Sequence, residues 1–407
     1  MKRLIALLIG WRLVLSAVLA VTAGLVVYRA DFMYTSLWWY GQPGWPVSSD
    51  ILWPWANFDG VHYLRIAAEG YTTQARFLPL WPAVIGMVTR ALGVHQAYST
   101  GQVLAAVGLS SVTALAAAAA LYRLLRLDVT AATARRVVML WAAWPVAFFL
   151  FAVYTEGLFV LLAVLSLYLA RQRRWWLAGA ALSLLAVTRL VGVLMVPVVL
   201  LEFWQAEGLK KLPWQSVAAA KRWRSSWQSW LGQSWPILLS PVTLVGYAWF
   251  NWWRWGSPLY FVTAHGQLGN SRTVTGVVLP VQTLVRYARL LVVLSPSQHE
   301  WRVAVLELAA LVFITAGLWL MWRQRLRWSY QLYVWLAIAL PLLSGTLSGL
   351  PRYTLILFPI FLAMAKWFDR WPASHGRGRS YLGGWLVISL ALQAVLLALF
   401  SQGYFVG

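Results

Sequence analysis

The chain has no cysteine among its 407 residues, which excludes disulfide bonds and thiolate metal sites. Acidic residues are also scarce, with 11 Asp and Glu against 33 Lys and Arg. The sequence lacks a Walker motif, a Gly-rich dinucleotide loop and a His-x-x-x-His pair. Any group transfer must therefore draw its energy from the substrate itself.

Apolar residues dominate what remains. They make up 61% of the chain, and the mean hydropathy is +0.67. Charged residues account for 11%, against roughly 25% in an average soluble protein. Apolar runs of about 17–25 residues recur, which is long enough to cross a bilayer as helices. The sequence thus predicts an all-α polytopic membrane protein.

The apolar runs predict about eleven membrane spans in one domain covering residues 1–407. Short loops between them carry much of the net charge of +22, which we interpret as orienting the chain rather than as binding nucleic acid. The predicted spans are 7–29, 98–122, 137–153, 157–170, 175–188, 191–204, 235–253, 301–322, 328–347, 353–368 and 383–402.

Five basic loops and a basic N-terminus fix the predicted orientation. They all become cytoplasmic if residues 77–93 do not cross the membrane, so we predict an outer-face helix there. The extracytoplasmic parts then include the first loop, 30–97, and a later loop, 254–300. The cytoplasmic segment 205–234 carries tryptophans on one helical face, which is typical of an interfacial anchor; these are Trp223, Trp227 and Trp230.

Rare charges gather at the outer corners of this topology, as expected of a site for chemistry or transport. Asp59 precedes a helical pattern that ends at Gly70. The polar face of this predicted helix also carries His62 and Tyr63. Glu156 opens a predicted span, and two arginines, Arg189 and Arg352, lie at or near the same side.

Each of these residues also has a purely structural explanation. Asp59 would be a helix N-cap, and Glu156 a cap or a first-turn acid favoured by the helix dipole. Arg189, inside an apolar stretch, would form an ion pair within the bundle. Arg352 would reach the lipid head groups. The residues alone leave these alternatives open.

Six blocks, in order along most of the chain, resemble the PIG-V-type mannosyltransferases of the GT-C superfamily of polyprenyl-phosphate-sugar-dependent glycosyltransferases. Gly256-Ser257-Pro258 stands where that family has Gly-Asp-Pro, so one acid of the pattern is missing. The blocks are Asp59-Gly60 with His62-Tyr63 and Gly70-Tyr71, Phe77–Pro82, Tyr154–Phe159, Arg174–Gly179 with Thr188-Arg189 and Gly192, Gly256–Leu259 with Phe261, and Pro351-Arg352-Tyr353 with Phe358-Pro359.

The resemblance implies a GT-C-like bundle with outer-face juxtamembrane helices. It also implies an inverting transfer of a sugar, mannose by analogy, from a polyprenyl phosphate to a hydroxyl of a glycolipid, glycan or protein at the extracytoplasmic face. Asp59 would be the catalytic base. The residues that would bind substrate are His62, Tyr63, Glu156, Arg189, Arg352 and Tyr353.

The apolar runs and the basic residues Lys2 and Arg3 predict a multi-pass protein with its N-terminus in the cytoplasm, in a bacterial-type plasma membrane or an ER-like membrane. No cofactor and no tightly bound metal are expected, while a weakly held divalent ion stays open. The alternative function is a transporter or lipid flippase with Asp59, Glu156 and Arg189 as a polar relay. A membrane scaffold without activity is a third.

Overall fold

The computed structural model describes residues 2–22, 25–29, 51–72, 74–206, 232–264, 276–370 and 377–407. Within these ranges the chain is helical and has no β-strand, which confirms the predicted class. Its helices longer than one turn are α1 Lys2–Thr22, α2 Asp59–Glu69, α3 Leu80–Ala91, α4 Thr100–Leu125, α5 Ala131–Ala142, α6 Glu156–Arg171, α7 Trp175–Ala186, α8 Met195–Ala206, α9 Leu239–Trp255, α10 Pro280–Val293, α11 His299–Arg323, α12 Trp328–Leu343, α13 Leu350–Ile356, α14 Phe358–Asp369 and α15 Arg377–Ser401.

The described residues form a multi-pass membrane protein. Four helical stretches are long and apolar enough to cross a bilayer: Leu4–Thr22, Thr100–Leu125, His299–Arg323 and Tyr381–Ser401. Shorter apolar helices, including α7 and α12, stand beside them. Large apolar side chains remain exposed on the outside of the bundle, as expected where lipid replaces water; among them are Val242, Trp249, Trp253, Trp322 and Trp335.

The helices run up and down, so the bundle has two distinct ends. Helix α6 packs against α4 and α7, and α14 packs against α5 and α11. At one end, which we call the basic end, ion pairs join the helix termini; they are Arg171–Asp128, Arg136–Asp369 and Arg327–Glu202. Helices α6 and α13 begin at the opposite end, the site end.

The predicted span 137–153 is wrong as a single helix. Helix α5 already ends at Ala142, and a 3-10 turn follows only at Ala147–Leu150. Pro145 explains the break, since it lacks an N–H and cannot continue a helix. The amide of Gln393 donates to two carbonyls beside the break, those of Ala142 at 3.3 Å and Trp144 at 2.7 Å.

The predicted span 353–368 is likewise divided, into α13 and α14, with the break at Leu357. Pro359 cannot donate to the carbonyl four residues earlier, that of Leu355. The indole of Trp141 donates to that carbonyl at 2.8 Å, and the hydroxyl of Tyr333 donates to the next one at 2.6 Å. Side chains thus satisfy the carbonyls of Leu355 and Ile356 at this break.

The predicted outer-face helix, the second outer loop and the interfacial anchor are described to different extents. Residues 77–93 contain α3, whose 12 residues reach about 18 Å, too short for a hydrocarbon core of roughly 30 Å. The predicted loop 254–300 in fact contains the 14-residue helix α10. The tryptophans of the predicted interfacial anchor, Trp223, Trp227 and Trp230, lie outside the described residues.

Candidate active site

Asp59 is the first residue of α2, and its carboxylate does not cap the helix. The N-cap residue is Phe58, which has a φ of 59°. The Tyr154 hydroxyl donates to the carbonyl of Asn57 at 3.1 Å and so holds this corner. The carboxylate instead accepts a hydrogen bond from Nη1 of Arg352 at 2.6 Å. The N-cap alternative for Asp59 is therefore wrong.

Arg352 reaches Asp59 from the first turn of α13. Its guanidinium lies over the ring of Tyr154, 5.1 Å from the centroid, and 5.5 Å from that of Phe149. Aromatic faces attract a cation without using its N–H donors. Among the described residues, Nε of Arg352 has no hydrogen-bond partner. The guanidinium is held in place while part of its donor capacity is unused.

Glu156 and Arg189 form a second ion pair at the same end. Glu156 is completely buried at the start of α6, and its Oε1 lies 2.5 Å from Nη1 of Arg189. The guanidinium of Arg189 also lies over the ring of Tyr353, 4.8 Å from the centroid. The predicted ion pair of Arg189 within the bundle is thus present. Oε2 of Glu156 has no hydrogen-bond partner in the described part of the chain.

A break between two helices brings Arg189 to Glu156. Arg189 is in extended conformation, between the end of α7 and the 3-10 turn Leu190–Leu194. Gly192 allows this turn, because a Cβ there would lie 2.2 Å from the carbonyl oxygen of Leu185. The break lies where the predicted spans 175–188 and 191–204 meet.

His62 and Tyr63 both pack against Phe77. The imidazole stacks on the phenyl ring at 4.9 Å between centroids, and the phenol meets it edge-on at 5.0 Å. The guanidinium of Arg76 also lies over the Phe77 ring, 4.5 Å from its centroid. This packing fixes the polar face of α2 against the segment that leads into α3.

Two cavities meet at Asp59. The first, which we call the arginine cavity, has a volume of about 180 Å³. Its polar lining consists of Asp59, Tyr63, Arg76, Thr155, Thr188, Arg189, Ser348, Arg352 and Tyr353. The second, the acidic cavity, has a volume of about 330 Å³. Its polar lining consists of Arg29, Asp59, His62, Arg76, His299, Glu300, Glu307 and Ser348.

The charges of the site shift the pKa of two α2 residues. Burial raises the pKa of Asp59, but the attraction and hydrogen bond from Arg352 outweigh burial and hold it at about 2. Burial, with repulsion from Arg76, lowers the pKa of His62 to about 4. At neutral pH the site therefore contains an ionised Asp59 and an uncharged His62.

The structure brings together most of the predicted site residues. The arginine cavity unites Asp59, Tyr63, Arg189, Arg352 and Tyr353, and Glu156 lies behind it on Arg189. His62 lines the acidic cavity instead. Ser257, where the family acid is missing, lines neither cavity.

Several lining residues were missed by the sequence analysis. Arg76, Ser348 and Phe405 line both cavities, and nothing in their local sequence distinguishes them. Glu307 could have been found, since an acid inside the predicted span 301–322 is unusual. As for a metal, no group of three His, Asp or Glu side chains suited to one occurs among the described residues.

Part of the chain matches a known protein family. Residues 46–206 match the family model described as Mannosyltransferase (PIG-V). The resemblance predicted from the motifs is thereby confirmed. The matched range contains Asp59, Glu156 and Arg189, whereas Arg352 lies beyond it. The match supports a glycosyltransferase enzyme.

Similar solved structures come from Archaeoglobus fulgidus. Its oligosaccharyltransferase in the apo form is 16% identical, with 98% of this chain and 56% of that chain covered and a TM-score of 0.45. For the complex of the same protein with Zn and sulfate, the identity is 13%, the coverages are 97% and 53%, and the TM-score is 0.43. The chain thus spans about half the length of these structures. No curated protein matches the sequence.

Proposed function

We propose that the protein is an inverting glycosyltransferase that moves a sugar, mannose in the first instance, from a polyprenyl phosphate to an acceptor hydroxyl. The observation that carries this proposal is the arginine cavity, in which a single carboxylate, Asp59, faces three arginines. The three arginines outnumber Asp59 and the Glu156 that pairs with Arg189 behind the cavity, and this excess of positive charge suits an anionic phosphate group. The match of residues 46–206 to a mannosyltransferase family supports the same chemistry.

In the proposed reaction Asp59 accepts the proton of the acceptor hydroxyl as its oxygen attacks the anomeric carbon. The bond from that carbon to the phosphate oxygen breaks on the opposite face, and the lipid phosphate leaves with the electron pair. General base catalysis of this kind contributes roughly 10²–10⁴-fold. Arg352 and Arg189 would stabilise the charge that develops on the leaving phosphate.

The resting ion pair implies that Arg352 has two partners during the reaction. Asp59 is a weak base while Arg352 holds its pKa at about 2. A donor phosphate competes for the same guanidinium, whose Nε is unpartnered within the described residues. Donor binding would thus draw charge away from Asp59 and raise its pKa towards the working pH.

The proposal places the reaction at the extracytoplasmic face of a single domain covering residues 1–407. Arg123, Arg171 and Arg323 lie at the ends of helices opposite the site end, and basic residues favour the cytoplasmic side. The ion-paired residues Asp59, Glu156, Arg189 and Arg352 sit at helix starts or at a helix break instead of mid-helix. This favours a transferase over a transporter with a relay through the middle of the bundle.

The proposal is tested by incubating the purified full-length protein with polyprenyl-phosphate-mannose and a glycolipid extract, followed by mass analysis. We expect a glycolipid heavier by one hexose, with release of polyprenyl phosphate. The Asp59→Asn protein is the control and should give no product on the same time scale. Absence of both products from folded wild-type protein would contradict the proposal.

A further inference from the structure

We infer that the acidic cavity binds the acceptor, and that the acceptor group is an uncharged saccharide. This inference rests on the proposed function and gives the second substrate its own site. In a transfer from one sugar carrier to a hydroxyl, the base must face both the acceptor and the reacting carbon. Asp59 lines both cavities, so a molecule in the acidic cavity can offer its hydroxyl to Asp59 opposite the donor.

The charges of the two cavities favour different ligands. The arginine cavity has three arginines against Asp59 in its lining and Glu156 behind Arg189, an excess of one positive charge. The acidic cavity has three carboxylates, Asp59, Glu300 and Glu307, against two arginines. One of those arginines, Arg29, is already paired with Glu300 at 3.2 Å. A phosphate is attracted to the first cavity and gains little from the second, whereas an uncharged polyol has no such penalty.

The acidic cavity also supplies the hydrogen bonds that sugar hydroxyls require. Glu307 is buried within α11, and its carboxylate accepts from the hydroxyl of Tyr287. That hydroxyl in turn accepts from the backbone N–H of Leu347 at 2.9 Å, which fixes the Tyr287 ring. Glu307 lines the acidic cavity, and a carboxylate is an acceptor of the kind that sugar hydroxyls donate to.

His299 adds a polar group of defined orientation. Its Nε2 lies 2.8 Å from the carbonyl oxygen of Phe405, and because a carbonyl can only accept, Nε2 must donate. In the neutral ring Nδ1 is then an acceptor. Apolar side chains, including Val303 and Phe405, complete the lining and suit the C–H face of a sugar ring.

The absence of native cysteine allows each cavity to be probed separately. Val303→Cys reports on the acidic cavity and Leu190→Cys on the arginine cavity, since each residue is half-buried and lines only one of them. The rate of maleimide labelling is measured in folded full-length protein. If Val303→Cys does not fold, Leu290→Cys replaces it in the same cavity.

The probes are polyprenyl phosphate and, separately, the methyl α-glycosides of mannose, glucose and N-acetylglucosamine. We expect at least one glycoside to protect Val303→Cys but not Leu190→Cys, with labelling about tenfold slower at ten times its Kd. Polyprenyl phosphate should do the reverse. Adding Glu307→Gln should weaken the glycoside protection and leave the protection by polyprenyl phosphate unchanged.

The outcomes separate the two ideas. If no glycoside protects Val303→Cys, or if polyprenyl phosphate protects it, the inference about the acidic cavity is wrong while the proposed function stands. Glycoside protection that survives Glu307→Gln undiminished would also overturn the inference. If polyprenyl phosphate fails to protect Leu190→Cys, the proposed function itself is contradicted.

Discussion

Helix α6 has an ion pair at each end, and the two pairs differ in how completely they are satisfied. At the basic end, Arg171 binds Asp128 with two parallel hydrogen bonds of 2.6 and 2.8 Å. The hydroxyl of Tyr330 adds a third at 2.7 Å. At the site end, about 24 Å away, Glu156 and Arg189 share one contact of 2.5 Å.

The neighbouring pairs repeat this difference. At the basic end, Glu202 accepts from Arg327 through both carboxylate oxygens, at 3.2 and 2.7 Å. At the site end, Arg352 donates to Asp59 through one nitrogen, Nη1. Its Nε, like Oε2 of Glu156, is unpartnered among the described residues.

Buried polar groups are normally satisfied, so unused donors and acceptors need an explanation. The bidentate pairs at the basic end, Arg171–Asp128 and Arg327–Glu202, tie helix termini together, and none of their buried side-chain atoms lacks a partner among the described residues. The third pair there is less complete, since Nη1 of Arg136 forms no hydrogen bond within the described residues. The pairs at the site end, Arg352–Asp59 and Arg189–Glu156, lie at the cavities and each has an atom without a hydrogen-bond partner among the described residues. We propose that the bidentate pairs stabilise the fold and that the incomplete pairs beside the cavities bind substrate.

The largest expected effect that separates the two ends is that of Asp59→Asn. Loss of the base should reduce turnover by roughly 10²-fold or more, whereas the helix keeps its cap residue, Phe58, and should stay folded. Transfer rate and thermal unfolding are measured on the same preparation. Near-normal turnover in a folded variant would remove Asp59 as the base and make Glu156 the next candidate.

A smaller loss is expected from Arg352→Lys. Lysine keeps the charge but not the planar fork that can hold Asp59 and a phosphate together. The donor KM should rise roughly tenfold to hundredfold, the equivalent of one charged hydrogen bond. Arg171→Lys at the basic end is the matched control and should leave the donor KM unchanged. An equal rise in both variants would contradict the distinction between the two ends.

Asp128→Asn should lower stability and leave the transfer rate unchanged, the opposite of what is expected for Asp59→Asn. One carboxylate oxygen of the bidentate pair is replaced by an amide donor that faces Arg171 or Tyr330. Unfolding free energy should fall by about 1–3 kcal/mol, while the folded fraction keeps its transfer rate. Thermal unfolding in detergent, with activity assayed well below the midpoint, measures both. A stable Asp128→Asn protein without activity would mean that the basic end takes part in function.

The smallest expected effect is a difference between two pH profiles. In the free enzyme the pKa of Asp59 is about 2, below its ordinary value, so Asp59 stays ionised down to strongly acidic pH. If a donor phosphate draws Arg352 away, that pKa rises in the complex. The acid limb of kcat should therefore lie at higher pH than the acid limb of kcat/KM, since the first reports the complex and the second the free enzyme. Acid limbs of kcat and kcat/KM at the same pH would argue against the transfer of Arg352 from Asp59 to the donor phosphate.

Much of this architecture could be predicted from the sequence because membrane spans and charge bias are local signals. Apolar length predicted the multi-pass class, and the predicted spans 175–188 and 191–204 already met beside Arg189. The division at Pro145 and at Pro359 was missed, although proline gives a physical reason for both. The partner of each charge was beyond the sequence, since Asp59 and Arg352 are 293 positions apart.

The acidic cavity was beyond prediction for a related reason. Its residues come from α2, α10, α11 and the chain end, and no single segment contains a recognisable pattern. Glu307 was the exception, as an acid within a long apolar run. Long-range packing decides which rare charges meet, and only the folded chain reveals it.

The most direct test of the shared arginine is the affinity of Asp59→Asn for polyprenyl phosphate, measured without any acceptor. If Asp59 competes with the donor phosphate for Arg352, the variant should bind polyprenyl phosphate more tightly than the wild type while its turnover is lost. Asp128→Asn, which alters the bidentate pair with Arg171, should bind it with unchanged affinity. Weaker binding by Asp59→Asn would contradict the account, because it would mean that Asp59 holds Arg352 in place for the phosphate instead of competing for it.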